Sequence, residues 1–374
     1  MKIGIDAKWL FTGHVSGKHF TENILPELFS SYPEIEWHIF LDKKDKHLVF
    51  PFKNRMITVH HVWARFNMLS NLFVLPGYAK QLKLDAVLFQ TFCPKGRSFK
   101  SIVFIHDVLF RNYPEYFTWK EKLYFKPLKW TIPWADRIIT TTENVKSELK
   151  RLRYSKSTQK IDIAPLGVSK NFRPIDQFDK KFLKTIVEKY GLPSRYLLFV
   201  GRLNRRKNIH GLIHSLNFVN DRSIFLVIAG GPSWKTPPIT CPLAKKETRS
   251  RIIFIGSVPA ADDLAAIYAM STVFCFPSFA EGFGLPPIEA MASGVPVIVS
   301  NTTSMSEVCG SAALFVDPRD PKNIAAKINQ LLDDAALYQQ KSTEGLAWAA
   351  QYTWQQSAQK IMKAIFDCVD LTTT

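Results

Sequence analysis

The sequence predicts an α/β protein built as two parallel-sheet domains facing a cleft. Three observations carry this. Short apolar runs rich in β-branched residues alternate with helical stretches along the chain, the pattern of parallel sheets covered on both faces. At 374 residues the chain exceeds one ordinary core. The alternation is interrupted at the polar stretch Ser169–Lys181, which holds Pro174 and no apolar period and reads as the hinge. The domains expected are therefore 1–170 and 171–353.

Lys2–Asp6 reads as the first strand. Gly13 to Gly17 reads as a loop, followed by a helix from Lys18 to about Ser30. Further strands are expected at Glu34–Leu41, Met56–His60, Ala86–Phe89, Ser101–Ile105, Asp136–Thr141 and Lys160–Ala164, with a helix opening near Thr142 and Glu143. In the second block the strands are Arg195–Val200, Ser223–Ala229, Arg251–Ile255, Ser271–Phe276, Val295–Ser300 and Ala313–Val316. Two turns there end in glycines, Gly230-Gly231-Pro232 and Gly256-Ser257-Val258. Neither block opens on GxGxxG, which disfavours a dinucleotide redox enzyme.

The stretch Phe276-Pro277-Ser278-Phe279-Ala280-Glu281-Gly282-Phe283-Gly284-Leu285-Pro286-Pro287-Ile288-Glu289 carries the most chemistry. A buried strand runs into a glycine loop, and two prolines then suit the first turn of a helix. Backbone N–H groups at such a helix start lack acceptors and face the positive end of the dipole, which suits an anion. Glu281 precedes the helix and can face a ligand lying over its end. Glu289 falls about one turn inside, within reach of a more distant hydroxyl pair, since a carboxylate accepts two hydrogen bonds at once. A dipole-favoured first-turn glutamate explains Glu289 alone equally well.

Two further groups stand at strand ends. Arg202 and Lys207 bracket the loop after Val200; arginine holds a diphosphate bidentately and lysine adds a point charge, though Arg205 and Arg206 between them also fit a solvated basic loop. His106 and Asp107 end the strand Ser101–Ile105. Imidazole there can meet a sugar hydroxyl or a developing charge, while Asp107 also suits a cap of the next segment.

Charge is uneven. The net charge is +17, and residues 1–200 hold 33 of the 49 basic but 18 of the 32 acidic residues. Such a surface attracts nucleic acid, anionic lipid or an anionic substrate. Trp119, Tyr124, Phe125, Trp130 and Trp134 beside lysines suit an interfacial patch and suit a core equally well. Cys93, Cys241, Cys275, Cys309 and Cys368 show no CxxC spacing and read as reduced thiols. With a strand beginning at Lys2 and no long apolar run, a soluble, cytoplasmic protein is expected, with peripheral contact to the inner face of the membrane as an option.

The run Glu281-Gly282-Phe283-Gly284-Leu285-Pro286-Pro287-Ile288-Glu289-Ala290-Met291-Ala292, with Gly294-Val295-Pro296-Val297-Ile298 after it, resembles the E-x7-E element of the retaining family 4 glycosyltransferases, of the two-domain, Rossmann-like GT-B fold. Val200-Gly201-Arg202 with Lys207-Asn208, His106-Asp107, Ala135 to Thr140 and Pro165-Leu166-Gly167-Val168 resemble further stretches of that family. The resemblance implies Glu281 at the donor sugar and Glu289 at the nucleoside ribose. It implies Arg202 and Lys207 on the diphosphate, helped by backbone N–H groups of Phe283, Gly284 and Leu285 beside Gly282, with His106 by the donor sugar. Gly256, Ser257 and Val258 would line the base pocket, and a last helix, about 354–374, would pack back on the first domain. One departure is Val15-Ser16-Gly17-Lys18-His19-Phe20, where many members carry two glycines and an arginine; either Gly17 suffices for donor contact, with Lys18 or His19 reaching the ligand, or the first domain's contact with the donor is altered.

The expected activity is transfer of a hexose, with mannose favoured on resemblance, from a nucleotide diphosphate sugar to a glycan or lipid-linked acceptor. The expected chemistry is retaining and metal-independent, with no cofactor and a GDP-sugar as the favoured substrate. The partners expected are that donor, the acceptor and an anionic membrane surface, without nucleic acid. A sugar-nucleotide epimerase of similar fold and a basic non-enzymatic binder of nucleic acid or anionic surfaces are the alternatives.

Overall fold

The computed structural model describes residues 1–13, 15–63, 66–95, 98–231 and 246–370. The chain divides into two compact units, Met1–Gly167 together with the segment from Thr353, and Val168–Tyr352. It crosses between them at Gly167–Val168 and again at Tyr352–Thr353. A Cβ on Gly167 would lie 2.1 Å from the Trp354 nitrogen, so a bare Cα is needed where the two crossings meet within the first unit.

Ser169–Lys181 is therefore not a free hinge. Phe172 and Phe178 in it are buried, Phe172 against the Tyr268 ring at 5.3 Å, and Arg173 stacks on Phe178 at 4.0 Å. Isolated aromatics in an irregular segment create no period, so their burial leaves no pattern to read.

The first unit is a seven-stranded parallel sheet, β1 (Lys2–Asp6), β2 (Glu36–Asp42), β3 (Ile57–Val62), β4 (Ala86–Gln90), β5 (Lys100–Ile105), β6 (Arg137–Thr140) and β7 (Ile161–Ile163), in the order β3-β2-β1-β4-β5-β6-β7. Both faces are covered, as fully apolar strands require. On one face Ile3, Ile5, Ile39 and Phe104 pack under the helices Val15–Ser31 and Trp354–Asp370, the latter burying Trp354, Ala358, Ile361 and Ile365 there. On the other, Val87, Phe89, Val103 and Ile138 pack under the segments around Leu75 and Leu128.

The helix begins at Val15, earlier than the sequence suggests, so Gly17 lies in its first turn and not in a loop. The reason is packing: a Cβ at Gly17 would stand 2.0 Å from the Trp9 ring, which lies across the helix start.

The second unit is a six-stranded parallel sheet, β8 (Tyr196–Val200), β9 (Phe225–Ala229), β10 (Ile252–Gly256), β11 (Val273–Phe276), β12 (Val297–Ser300) and β13 (Leu314–Val316), in the order β10-β9-β8-β11-β12-β13. From β8 the chain runs outward to β10, then returns to lay β11 on the other side of β8. The strand order reverses between β8 and β11, the place where loops diverge and ligands of such sheets sit. Cys93, Cys275, Cys309 and Cys368 are buried thiols; Cys241 and Pro232 lie outside the described residues. Among the described residues no helix is long and apolar enough to cross a membrane.

Candidate functional site

The loops after β8 and β11 are stitched together at that reversal. Asn204 caps the turn Arg205–Lys207, its side chain accepting from the Lys207 N–H at 3.2 Å. Asn208 follows with φ 54°, a left-handed conformation asparagine tolerates. Its buried amide donates to the carbonyls of Pro277 at 3.0 Å and Pro318 at 2.6 Å. The Phe279 N–H donates to the Arg206 carbonyl at 2.8 Å, and the Arg206 guanidinium reaches the Ala280 carbonyl. The turn holding the cations is thereby fixed against the loop holding the acid.

Glu281 is buried between two of those cations. Lys207 Nζ and Arg206 each lie 2.8 Å from one of its carboxylate oxygens, and Lys207 Nζ also stands 4.4 Å from the centre of the Phe276 ring. Burial by itself pushes the Glu281 carboxyl up, but the charges of Arg206 and Lys207 more than reverse this and leave it at about 2. Each oxygen keeps lone-pair capacity for a further donor. Arg202 is exposed, with no side-chain partner among the described residues.

The helix Leu285–Ala292 begins beside this carboxylate. Gly284 caps it at φ 86°, a left-handed conformation that requires glycine, and a Cβ there would push aside the Met305 methyl 2.1 Å away. Pro286 and Pro287 remove two N–H groups from the first turn. Those of Phe283, Gly284 and Leu285 make no hydrogen bond among the described residues, which gathers the open donors at the very start of the helix.

Glu289, one turn in, is buried and accepts from the Tyr268 hydroxyl at 2.9 Å. Burial raises its carboxyl to about 7, offset in part by that hydrogen bond. The Gly256, Ser257 and Val258 turn follows β10 at the sheet edge, on the same carboxyl-end side. Gly256 has φ 69° and its carbonyl accepts from the Gly230 N–H at 2.7 Å; Gly256 and Ser257 are exposed and Val258 is half-buried.

His106 and Gly17 belong to the first unit. His106 directly follows β5, its ring 4.9 Å from Phe104 and 5.6 Å from Phe20, and its Nε2 is buried without a hydrogen-bond partner. Burial lowers it to about 4, so it is neutral near pH 7. Asp107 caps the next turn, accepting from the Leu109 N–H at 3.0 Å.

Residues 41–172 match the family described as Glycosyltransferase Family 4, and residues 182–348 match Glycosyl transferases group 1. O-antigen chain mannosyltransferase B of Escherichia coli is 32% identical over 271 residues, 71% of this chain and 70% of that protein. This chain is a family 4 glycosyltransferase. The serotype-specific mannosyltransferase WbdA of Escherichia coli is 31% identical over 229 residues, 60% of this chain and 28% of that longer protein. Sucrose-phosphate synthase from Thermosynechococcus elongatus superposes with a TM-score of 0.73 over 97% of this chain and 98% of its own, at 18% identity, a likeness of fold alone. The class is α/β, of the GT-B type.

In the glycosyltransferase, the residues singled out in the second unit group at the carboxyl ends of the strands. What the sequence reading missed is Arg206, which it gave no role beyond fitting a solvated loop as an alternative: the tight turn ending at Asn208 brings both Arg206 and Lys207 onto Glu281. Tyr268 and the hydroxyl run Thr302-Thr303-Ser304 were missed as well. The Thr303 hydroxyl accepts from the Glu281 N–H at 2.9 Å, and Ser304 donates to the Gly282 carbonyl at 2.8 Å. Thr303 has φ 54°, rare for a β-branched residue and tied here to holding the acid loop. Adjacent Thr-Thr-Ser after a strand was the one available signal.

Proposed function

We propose that the glycosyltransferase moves a hexose, mannose, from a GDP-sugar to a glycan or lipid-linked acceptor with retention and without a metal ion. One observation carries the reading. A carboxylate ionised near neutral pH, Glu281, is held by Arg206 and Lys207 directly ahead of a helix start with three open N–H donors.

In this reading the diphosphate lies over the helix start, its charge met by the Phe283, Gly284 and Leu285 N–H groups, Lys207 and Arg202. These groups favour the additional charge that appears when the bond between the sugar's anomeric carbon and the phosphate oxygen breaks. Glu281, at about 2, has no proton to give near neutrality, so its role is to accept from a hexose hydroxyl and fix the ring. Glu289 accepts from the ribose. The acceptor oxygen bonds the anomeric carbon on the face the diphosphate leaves, and its proton passes to the departing phosphate oxygen. The mannose assignment is supported by the resemblance to mannosyltransferases.

Calorimetric titration with GDP, UDP and ADP, on the wild type and on Arg202→Ala, tests the donor site. GDP is expected to bind tightest, and Arg202→Ala to weaken all three by about tenfold or more through the lost phosphate contact. Equal, weak binding of the three nucleotides by both proteins would overturn it. The anomeric configuration of the product by NMR, with and without EDTA, tests retention and metal independence. A changed sugar nucleotide formed without acceptor would point to an epimerase instead.

A further inference from the structure

One side of the first unit carries large apolar side chains in water. Trp119 is 63% exposed, Leu123 61% and Trp130 55%, and Phe73 reaches 73% and Phe66 53%. The helix Trp119–Phe125 continues through Lys126 and Pro127, both in helical conformation, into Leu128–Thr131. Trp119, Leu123, Lys126 and Trp130 recur every three or four residues and so share one face. Lys120, Lys122 and Lys126 are exposed among them.

Tyr124 and Phe125 turn the other way and pack on the core, with Tyr124 5.3 Å from Phe92. The interfacial patch suggested by the aromatics of 119–134 is thus carried by Trp119 and Trp130, while Tyr124 and Phe125 serve packing and Trp134 is half-buried. Phe73, Gly77 and Lys80 make a similar exposed line on the neighbouring segment. Both segments cover the same layer, for Met68, Val74 and Tyr78 pack on the cluster that also takes Phe117, Tyr124 and Phe125.

The charge on these segments has one sign. Residues 46–84 contain no aspartate or glutamate, and 116–135 contain only Glu121. Glu121 is folded back to the helix start, accepting from the Thr118 N–H at 2.8 Å in a capping box. No carboxylate of these two segments therefore stands on the exposed lines.

We propose that this face, Trp119, Leu123 and Trp130 with Lys120, Lys122, Lys126 and the adjoining Phe73 and Lys80, lies on an anionic lipid bilayer. Indole rings settle at the headgroup level, leucine and phenylalanine enter the acyl boundary, and the lysines meet the lipid phosphates. A second copy is a poor occupant: a two-fold contact would set these lysines against their own counterparts, and lysine is depleted from the centre of protein interfaces. The face belongs to the first unit and the donor-site residues described above to the second, so the inference stands whether or not the donor reading holds.

Sedimentation of the full chain with vesicles tests it, using phosphatidylcholine alone and phosphatidylcholine mixed with phosphatidylglycerol. The wild type is expected to pellet with the mixed vesicles and to stay in solution with the neutral ones, and binding should fall as salt rises. Lys122→Glu with Lys126→Glu should weaken binding by about tenfold or more, and Trp119→Ser with Trp130→Ser by several-fold. Nucleotide affinity of both variants should match the wild type, which shows that they fold. Equal pelleting with neutral and mixed vesicles, or either double variant binding like the wild type, overturns the proposal; so does a wild type that dimerises and ignores lipid. Nucleotide binding lost in the wild type with vesicle binding intact would sink the donor reading alone.

Discussion

The carboxyl of Glu289 gives the donor reading a pH signature. Burial holds it at about 7, against an ordinary value of 4.5, so it keeps its proton at mildly acid pH. The sign for folding follows. Between pH 4.5 and 7 the unfolded chain releases this proton and the folded chain retains it, so this group's contribution to stability falls by about 3 kcal/mol as pH rises through that window. A ribose hydroxyl donating to Glu289 favours the ionised form and brings the group back toward 4.5 in the complex. Nucleotide affinity then weakens as the pH is lowered, by about thirtyfold between pH 8 and about pH 5.5 for a full return. Titration calorimetry with GDP over this range measures it, and near pH 6 two buffers of different ionisation enthalpy should report release of close to one proton. Because the terminal phosphate also titrates in this range, the decisive quantity is the difference from Glu289→Gln, which should lose most of the slope. A slope identical in the two proteins would refute a direct bond between Glu289 and the nucleotide.

Further outcomes follow from the same geometry. Arg206→Ala leaves Glu281 buried with one cation and should cost about 3 kcal/mol in denaturant unfolding of the second unit. In a Glu281→Gln background the same change should cost much less, and equal costs in both would mean the two side chains are not coupled. Since Glu281 titrates below its ordinary value, the stability it supplies is present above pH 4.5 and is lost as the pH falls toward 2, a decline absent from Glu281→Gln. Gly284→Ala forces a side chain to φ 86° and into the Met305 methyl. It should lower stability by at least about 1–2 kcal/mol, part of which Met305→Ala restores, as melting temperatures would show. Asn208→Ala removes two bonds to buried carbonyls and should cost about 2–3 kcal/mol, with the nucleotide KM rising as the cation turn loosens.

The sequence by itself determined the two parallel sheets, because strands buried on both faces are written as short apolar runs, and each expected run falls on an observed strand. It also marked Glu281, Gly284 and Glu289, since a strand, a glycine loop and a proline-led helix are contiguous in the chain and their local chemistry needs no long-range partner. Only the tertiary structure decided that Arg206 joins Lys207 on Glu281, because residues 74 and 75 positions apart meet only when β8 and β11 lie side by side. The same holds for Tyr268 under Glu289, for the Thr303 hydroxyl that holds the acid loop, and for Gly17, whose reason is the Trp9 ring rather than a turn. Which aromatics of 119–134 face water was equally hidden: Trp119 and Tyr124 are alike in composition, and the core decides which of them it takes.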